Sequence, residues 1–191
     1  MPLSSAFPSS GPKGPFGRLL GLSLLAACSA LPHALWGGDR GGGGGRIFRD
    51  GCNNALLAQA EAGAPAAGKR ILSQAREMTV VNREILPGAC WDYINAVYNR
   101  AGYPDKARHT VFHSKKAGPY AAVSQILPGD WLYFINHSYH GVEHSSLFVA
   151  WADKGAMRAY MLSYPGEQRR ETARYLVYDL SNVYQVVRPN G

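Results

Sequence analysis

Cys90 and His144 are the two residues of this chain best suited to act together in chemistry. Cys90 stands in Pro87-Gly88-Ala89-Cys90-Trp91-Asp92-Tyr93-Ile94, directly after a Pro-Gly break and at the head of a helix-patterned segment. A thiol attacks as its thiolate. The partial positive charge of a helix start and a neighbouring imidazole are the two common ways to favour that form. His144 opens His144-Ser145-Ser146-Leu147-Phe148-Val149-Ala150-Trp151, a run with strand character. Between them, Leu127-Pro128-Gly129-Asp130 makes a turn that launches the apolar stretch Trp131-Leu132-Tyr133-Phe134. A helix-starting thiol, a turn-launched strand and a strand-starting imidazole suit acyl transfer: the imidazole takes the thiol proton and later returns one to the leaving group. Each residue has a competing assignment. Cys90 can be a small buried hydrophobe. His144 can be a turn residue, in rivalry with His137 and His140 of the same stretch, and a zinc reading of those three lacks a recognisable ligand spacing.

The elements that must position these groups are legible from periodicity. Asn53 to Ala62 reads as a helix, stopped by Gly63 and Pro65, and Ala66 to Met78 as a second. Thr79 to Leu86 is a connector with a short β-like run. In the third helix Cys90, Ile94, Val97 and Ala101 recur at i, i+4, i+7 and i+11, one helical face. Gly102 supplies the stop and Pro104 forbids continuation. His109 and His113 fall in a polar connector. From Asp130 the pattern changes to short aromatic-rich runs, 131–135, 145–151, 157–163 and 175–178, separated by turn-formers. That spacing predicts an antiparallel meander. The stretch 181–187 fits a last helical turn or a strand. Helices followed by strands predict an α+β fold.

The ordered set of Cys90, Pro128-Gly129-Asp130 with its strand, and His144 with Leu147 to Ala150 resembles the NlpC/P60 family of bacterial cell-wall cysteine peptidases, within the papain-like superfamily. The resemblance covers about Ser73 to Arg188. It implies N-terminal helices packed on an antiparallel sheet, Cys90 as nucleophile and His144 as base. It implies a peptidoglycan stem peptide as substrate, cut near the γ-D-glutamyl bond, with no cofactor. The family's third polar residue, on the next strand, falls around Leu162-Ser163-Tyr164, where Ser163 is the first choice and Tyr164 the second. Trp91, Tyr93 and Tyr164 are the candidate substrate contacts. Trp91 would be a core residue or a groove wall, and Tyr93 a donor toward an oxyanion or else a packed ring. The chain departs from the family in two further places. Ala89-Cys90-Trp91-Asp92 replaces Asp-Cys-Ser-Gly, and Ser145-Ser146 follow the histidine in place of Val-Gly. These departures keep two alternatives open. One is a non-catalytic envelope lipoprotein that binds wall peptide or a partner with the same fold. The other is a related amidase or acyltransferase acting on lipid or protein.

With 46% hydrophobic and 17% charged residues, the body is globular rather than disordered. The formal net charge of +7 suits an anionic neighbour such as a wall polymer or a lipid surface. Nucleic acid is not expected, because no clustered basic stripe or RNA-binding aromatic signature occurs. Three cysteines cannot form a fully paired framework. Arg18 precedes Leu19-Leu20-Gly21-Leu22-Ser23-Leu24-Leu25-Ala26-Ala27, an apolar run of signal-peptide length. It ends in Leu25-Ala26-Ala27-Cys28, which resembles a lipobox and makes Cys28 the expected lipid-attachment site. A simple secretory signal cut after Ala34 is the other possibility. The domains expected are a signal segment at 1–28, a glycine-rich linker at 29–50 and the NlpC/P60-like domain at 51–191. A flexible tether of roughly twenty residues reaches about 25 Å, which would hold the domain near the outer face of a membrane in the cell envelope. Cys52 has no assigned role, and a disulfide from it to Cys90 would block the nucleophile.

Overall fold

A computed structural model describes residues 50–191, with side chains from Asn54 onward. The expected signal segment with Cys28, the glycine run and the side chain of Cys52 lie outside the described residues. Three helices come first. Helix α1 (Asp50–Gly63) ends at the Gly63–Pro65 break, and α2 (Ala66–Arg76) starts directly after Pro65. Helix α2 buries Ile71, Leu72 and Ala75. It then widens into a π-helical turn over Glu77–Val81, which buries Met78 and Thr79. The strand-like run expected near Thr79 is therefore helical. Strand propensity is weak where packing decides, and here Thr79 is held from inside, its Oγ1 lying 3.1 Å from the buried Tyr93 hydroxyl. Helix α3 (Cys90–Arg100) buries Tyr93, Ile94, Val97 and Tyr98, and Gly102 ends it with φ +91°.

Six strands follow: β1 (Arg108–His113), β2 (Trp131–Asn136), β3 (Val142–Asp153), β4 (Arg158–Ser163), β5 (Arg174–Asp179) and β6 (Val183–Pro189). They form one antiparallel sheet in the order β1-β6-β2-β3-β4-β5. The architecture is α+β. The expected meander covers β2 to β5. The chain then returns, and β6 inserts between β2 and β1. The stretch read as a polar connector is β1. Its polar composition is that of an edge strand, whose outer rim meets water.

One face of the sheet carries Trp131, Leu147, Val149 and Leu162 against Ile71, Met78, Ile94 and Val97 of the helical layer. The other face carries Leu132, Phe134, Phe148, Met161 and Val186, covered by Ala121, Ile126 and Leu180. The Pro-Gly-Asp turn joins the layers. A Cβ on Gly129 (φ +95°) would stand 2.4 Å from the Gly68 Cα of α2, so turn and helix touch backbone to backbone. Tyr98 of α3 donates its hydroxyl to Gly129 O at 2.7 Å. Asp130 is 1% exposed. Its carboxylate accepts the Leu127 N–H at 2.7 Å and two bonds from Arg188 of β6, both at 2.8 Å. The motif that launches β2 thus also fixes where α3, and with it Cys90, lies against the sheet.

Candidate active site

Gly88 has φ +100°, and a Cβ there would strike the Asp92 carboxylate, 2.2 Å from Oδ2. Asp92 Oδ2 accepts the Ala89 N–H at 2.7 Å. This bond from the first turn back to the chain entry starts the helix at Cys90. Cys90 is a free thiol, partly buried. His144 pairs with Phe134 across β2 and β3. Its ring is edge-on to Phe134 and tilted against Tyr178, with centroids 5.6 Å apart in both contacts.

The imidazole lies near enough to the thiol to lower its pKa by hydrogen bonding and by charge. His144 Nε2 lies 2.8 Å from Ser163 Oγ, at the end of β4. Tyr178 of β5 donates its hydroxyl to the same Ser163 Oγ at 2.9 Å. With Nε2 facing Ser163, Nδ1 is the nitrogen left for Cys90. A base accepts the thiol proton through a lone pair, so the working tautomer carries its hydrogen on Nε2 and donates it to Ser163. Ser163 then accepts from both His144 and Tyr178. Such an acceptor fixes the orientation and tautomer of the ring.

Burial alone would push the Cys90 thiol up. The His144 hydrogen bond, the nearby imidazole charge and two donors from Ser145 more than offset this, lowering the thiol from 9.0 to about 7. Ser145 contributes its backbone N–H and its hydroxyl, the latter 3.6 Å from Sγ. About half of the molecules then carry a thiolate at neutral pH, against about one in a hundred for a thiol at 9.

Of the residues singled out in the sequence, Cys90, His144 and Ser163 come together around one cleft of about 820 Å³. Tyr164 borders that cleft but is buried. Its hydroxyl donates to Leu86 O at 2.6 Å and accepts Leu86 N–H at 3.1 Å, so its proton is already engaged. Tyr93 is the packed ring of the two readings, and not a substrate contact. It is wholly buried, stacked on Tyr164 at 4.6 Å, and meets Thr79 instead of an oxyanion. Trp91 is exposed, but it lines a separate hollow of about 220 Å³ with Arg108, His109 and Tyr133. Its indole N–H donates to Tyr133 Oη at 2.9 Å. His137 lies against Asn182 and His140 sits at φ +55° in the β2–β3 loop. Among the described residues no three metal-ligating side chains are grouped to hold an ion.

No family model, curated protein or solved structure matches this chain.

Ser145 escaped the sequence reading. Its only signal is its place next to His144. It is buried, and its hydroxyl reaches the Cys90 thiol at the start of α3, the same group on which His144 acts. Ser145→Ala removes the hydroxyl donor and leaves the N–H. The expected result is a rise in the Cys90 pKa, smaller than the rise on removing the His144 imidazole. The pH dependence of iodoacetamide labelling, read on the Cys90 peptide, measures it. An unshifted profile would remove Ser145 from the site.

Proposed function

We propose that this chain is an exported cysteine hydrolase that cleaves an amide bond by acyl transfer to Cys90, as a divergent NlpC/P60-like, papain-like peptidase of peptidoglycan stem peptides. The observation that carries the reading is the continuous chain Cys90, His144, Ser163 and Tyr178 at the edge of an open cleft. In the reaction the thiolate attacks the amide carbonyl and a C–S bond forms. The first-turn N–H groups of α3 have no partner within the helix and are placed to receive the oxyanion. The His144 imidazolium gives its proton to the leaving amine as the C–N bond breaks. Water then attacks the thioester, His144 takes its proton, and the acid leaves as the thiol is restored.

The non-catalytic alternative expects a separated Cys–His pair and no third polar group, so the contacts of His144 weigh against it. A lipid substrate expects an apolar channel beside Cys90, whereas this cleft mixes Val142, Leu176 and Val177 with Asn136, Ser138 and arginines. By the same proposal Cys28 carries a lipid, and the domain works at the membrane face of the cell envelope.

The test is digestion of purified muropeptides by the full chain, with products read by mass spectrometry. New fragments cut next to the γ-D-glutamyl residue are expected. Intact stem peptides, in a sample whose Cys90 still reacts with iodoacetamide, would remove the substrate. Cys28→Ala should move the protein from the membrane to the soluble fraction; continued membrane attachment would remove the tether.

A further inference from the structure

Arg169 and Arg174 line the Cys90 cleft, with Arg158 at the opposite end of β4 from Ser163, and no aspartate or glutamate lines the cleft among the described residues. Arg174 is placed by register. It pairs directly with Ser163 across β4 and β5. Directly paired residues lie on one face of a sheet, side chains about 5 Å apart, so Arg174 flanks the serine that holds His144. Its Nη2 is 3.0 Å from Glu171 Oε2, while its buried Nε has no hydrogen-bond partner. A guanidinium has five donors, and a single carboxylate on an exposed loop leaves this one under-used.

Arg169 reaches the same cleft from the turn after Pro165. That turn is tied to the nucleophile, since Glu167 N–H donates to Gly88 O, two residues before Cys90, at 3.0 Å. Arg169 is exposed and forms no ion pair among the described residues. One arginine is thus placed by the sheet beside Ser163, and another is carried on a turn that the backbone ties to the segment before Cys90. Guanidinium groups match carboxylate and phosphate oxygens in a planar, two-bond geometry. A cleft with one sign of charge also concentrates ligands of the other sign.

We infer that Arg169 and Arg174 form an anion subsite, which selects substrates carrying a carboxylate or phosphate close to the bond that acylates Cys90. The assignment of this anion to the substrate rests on the hydrolase reading; the subsite itself is a binding property and is tested separately.

The test uses Cys90→Ser full chain and three fluorescent probes: dansyl-6-aminohexanoate, dansyl-6-aminohexyl phosphate and neutral dansyl-6-aminohexanamide. Affinities are read by anisotropy at low ionic strength. At least one anion should bind about tenfold or more tightly than the amide, and the tighter anion identifies carboxylate or phosphate as the preferred group. Salt at 0.5 M should erase most of the difference. Arg169→Gln with Arg174→Gln should bring all three probes within about twofold, with amide binding retained as the sign of an intact cleft. Arg169→Gln alone, on the exposed turn, should give part of that loss if the double variant does not fold. Glu171→Gln frees Arg174 and should tighten anion binding severalfold. Equal affinity for anion and amide, or a preference that survives both arginine substitutions, would overturn the subsite. Iodoacetamide labelling of Cys90 in the parent chain keeps the two readings apart. Anion preference with an unreactive Cys90 supports the subsite and removes the hydrolase. A reactive Cys90 with equal binding of anion and amide removes the subsite alone.

Discussion

Replacing Cys90 with serine should reduce amide cleavage by about 10³-fold or more while leaving the fold intact. The substitution exchanges sulfur for oxygen at a partly buried position and disturbs little packing. Its chemical effect is large, because a hydroxyl is not ionised near neutral pH by the contacts that bring this thiol to about 7. Groups that act as one catalytic unit lose nearly all their effect when the nucleophile is removed. The parent should also show a characteristic pH profile. A lowered thiol pKa means that the thiolate is present above about 7 and is lost as pH falls through it. The acylation rate should therefore drop about tenfold per pH unit below that point and level off above it. Initial rates of stem-peptide cleavage between pH 5 and 9 measure both effects, with circular dichroism as the control for folding. Cleavage by Cys90→Ser at the parental rate would rule out Cys90 as nucleophile.

The part of the site legible in the sequence is the part written in local grammar. Pro87-Gly88 before an apolar stripe marks a helix start, and a turn followed by alternating aromatics marks a strand, so Cys90 and His144 could be paired before any coordinates. Ser163 was reachable only through the resemblance, which asks for a third polar residue on the strand after His144. Ser145 and Tyr178 were not. Their roles depend on which strand lies beside which, and on which face each residue turns to, and both are properties of register. The substrate-contact reading of Tyr93 was wrong for a related reason. The stripe of Cys90, Ile94, Val97 and Ala101 defines a narrow face, but α3 also packs on Tyr93 and Tyr98, so the buried arc is wider and Tyr93 lies inside it. Strand β1 was missed because edge strands do not need the apolar alternation by which strands are recognised. The place of β6 beside β2 is a long-range pairing that no local pattern encodes.

Arg188→Met should destabilise the folded domain by about 3 kcal/mol or more at pH 8, among the largest losses expected from one substitution away from Cys90. The reason lies in Asp130. Burial pushes its carboxyl pKa up, and the Arg188 guanidinium and the Leu127 N–H bring it only part of the way back. Removing Arg188 takes away two charge-assisted bonds and the neutralising charge, and it also frees Gln125 O, which accepts from the same guanidinium at 2.8 Å. A buried carboxylate left alone relieves itself by taking up a proton, so its folded pKa rises further above the unfolded value. The sign of the pH dependence follows. The folded state then binds a proton that the unfolded state releases, so the penalty grows as pH climbs from the unfolded pKa to the raised folded one. It should be smallest near pH 4 to 5 and full at pH 8. Urea unfolding of parent and variant at both pH values measures it. Asp130→Asn in the same background should recover a good part of the loss at pH 8, because no charge is then stranded in the turn. A penalty that is equal at pH 5 and pH 8, with no recovery in the double variant, would mean that Arg188 acts by packing alone. In that case the Pro-Gly-Asp turn would be held against α2 and α3 by the Gly68–Gly129 contact and the Tyr98 hydroxyl without the ion pair.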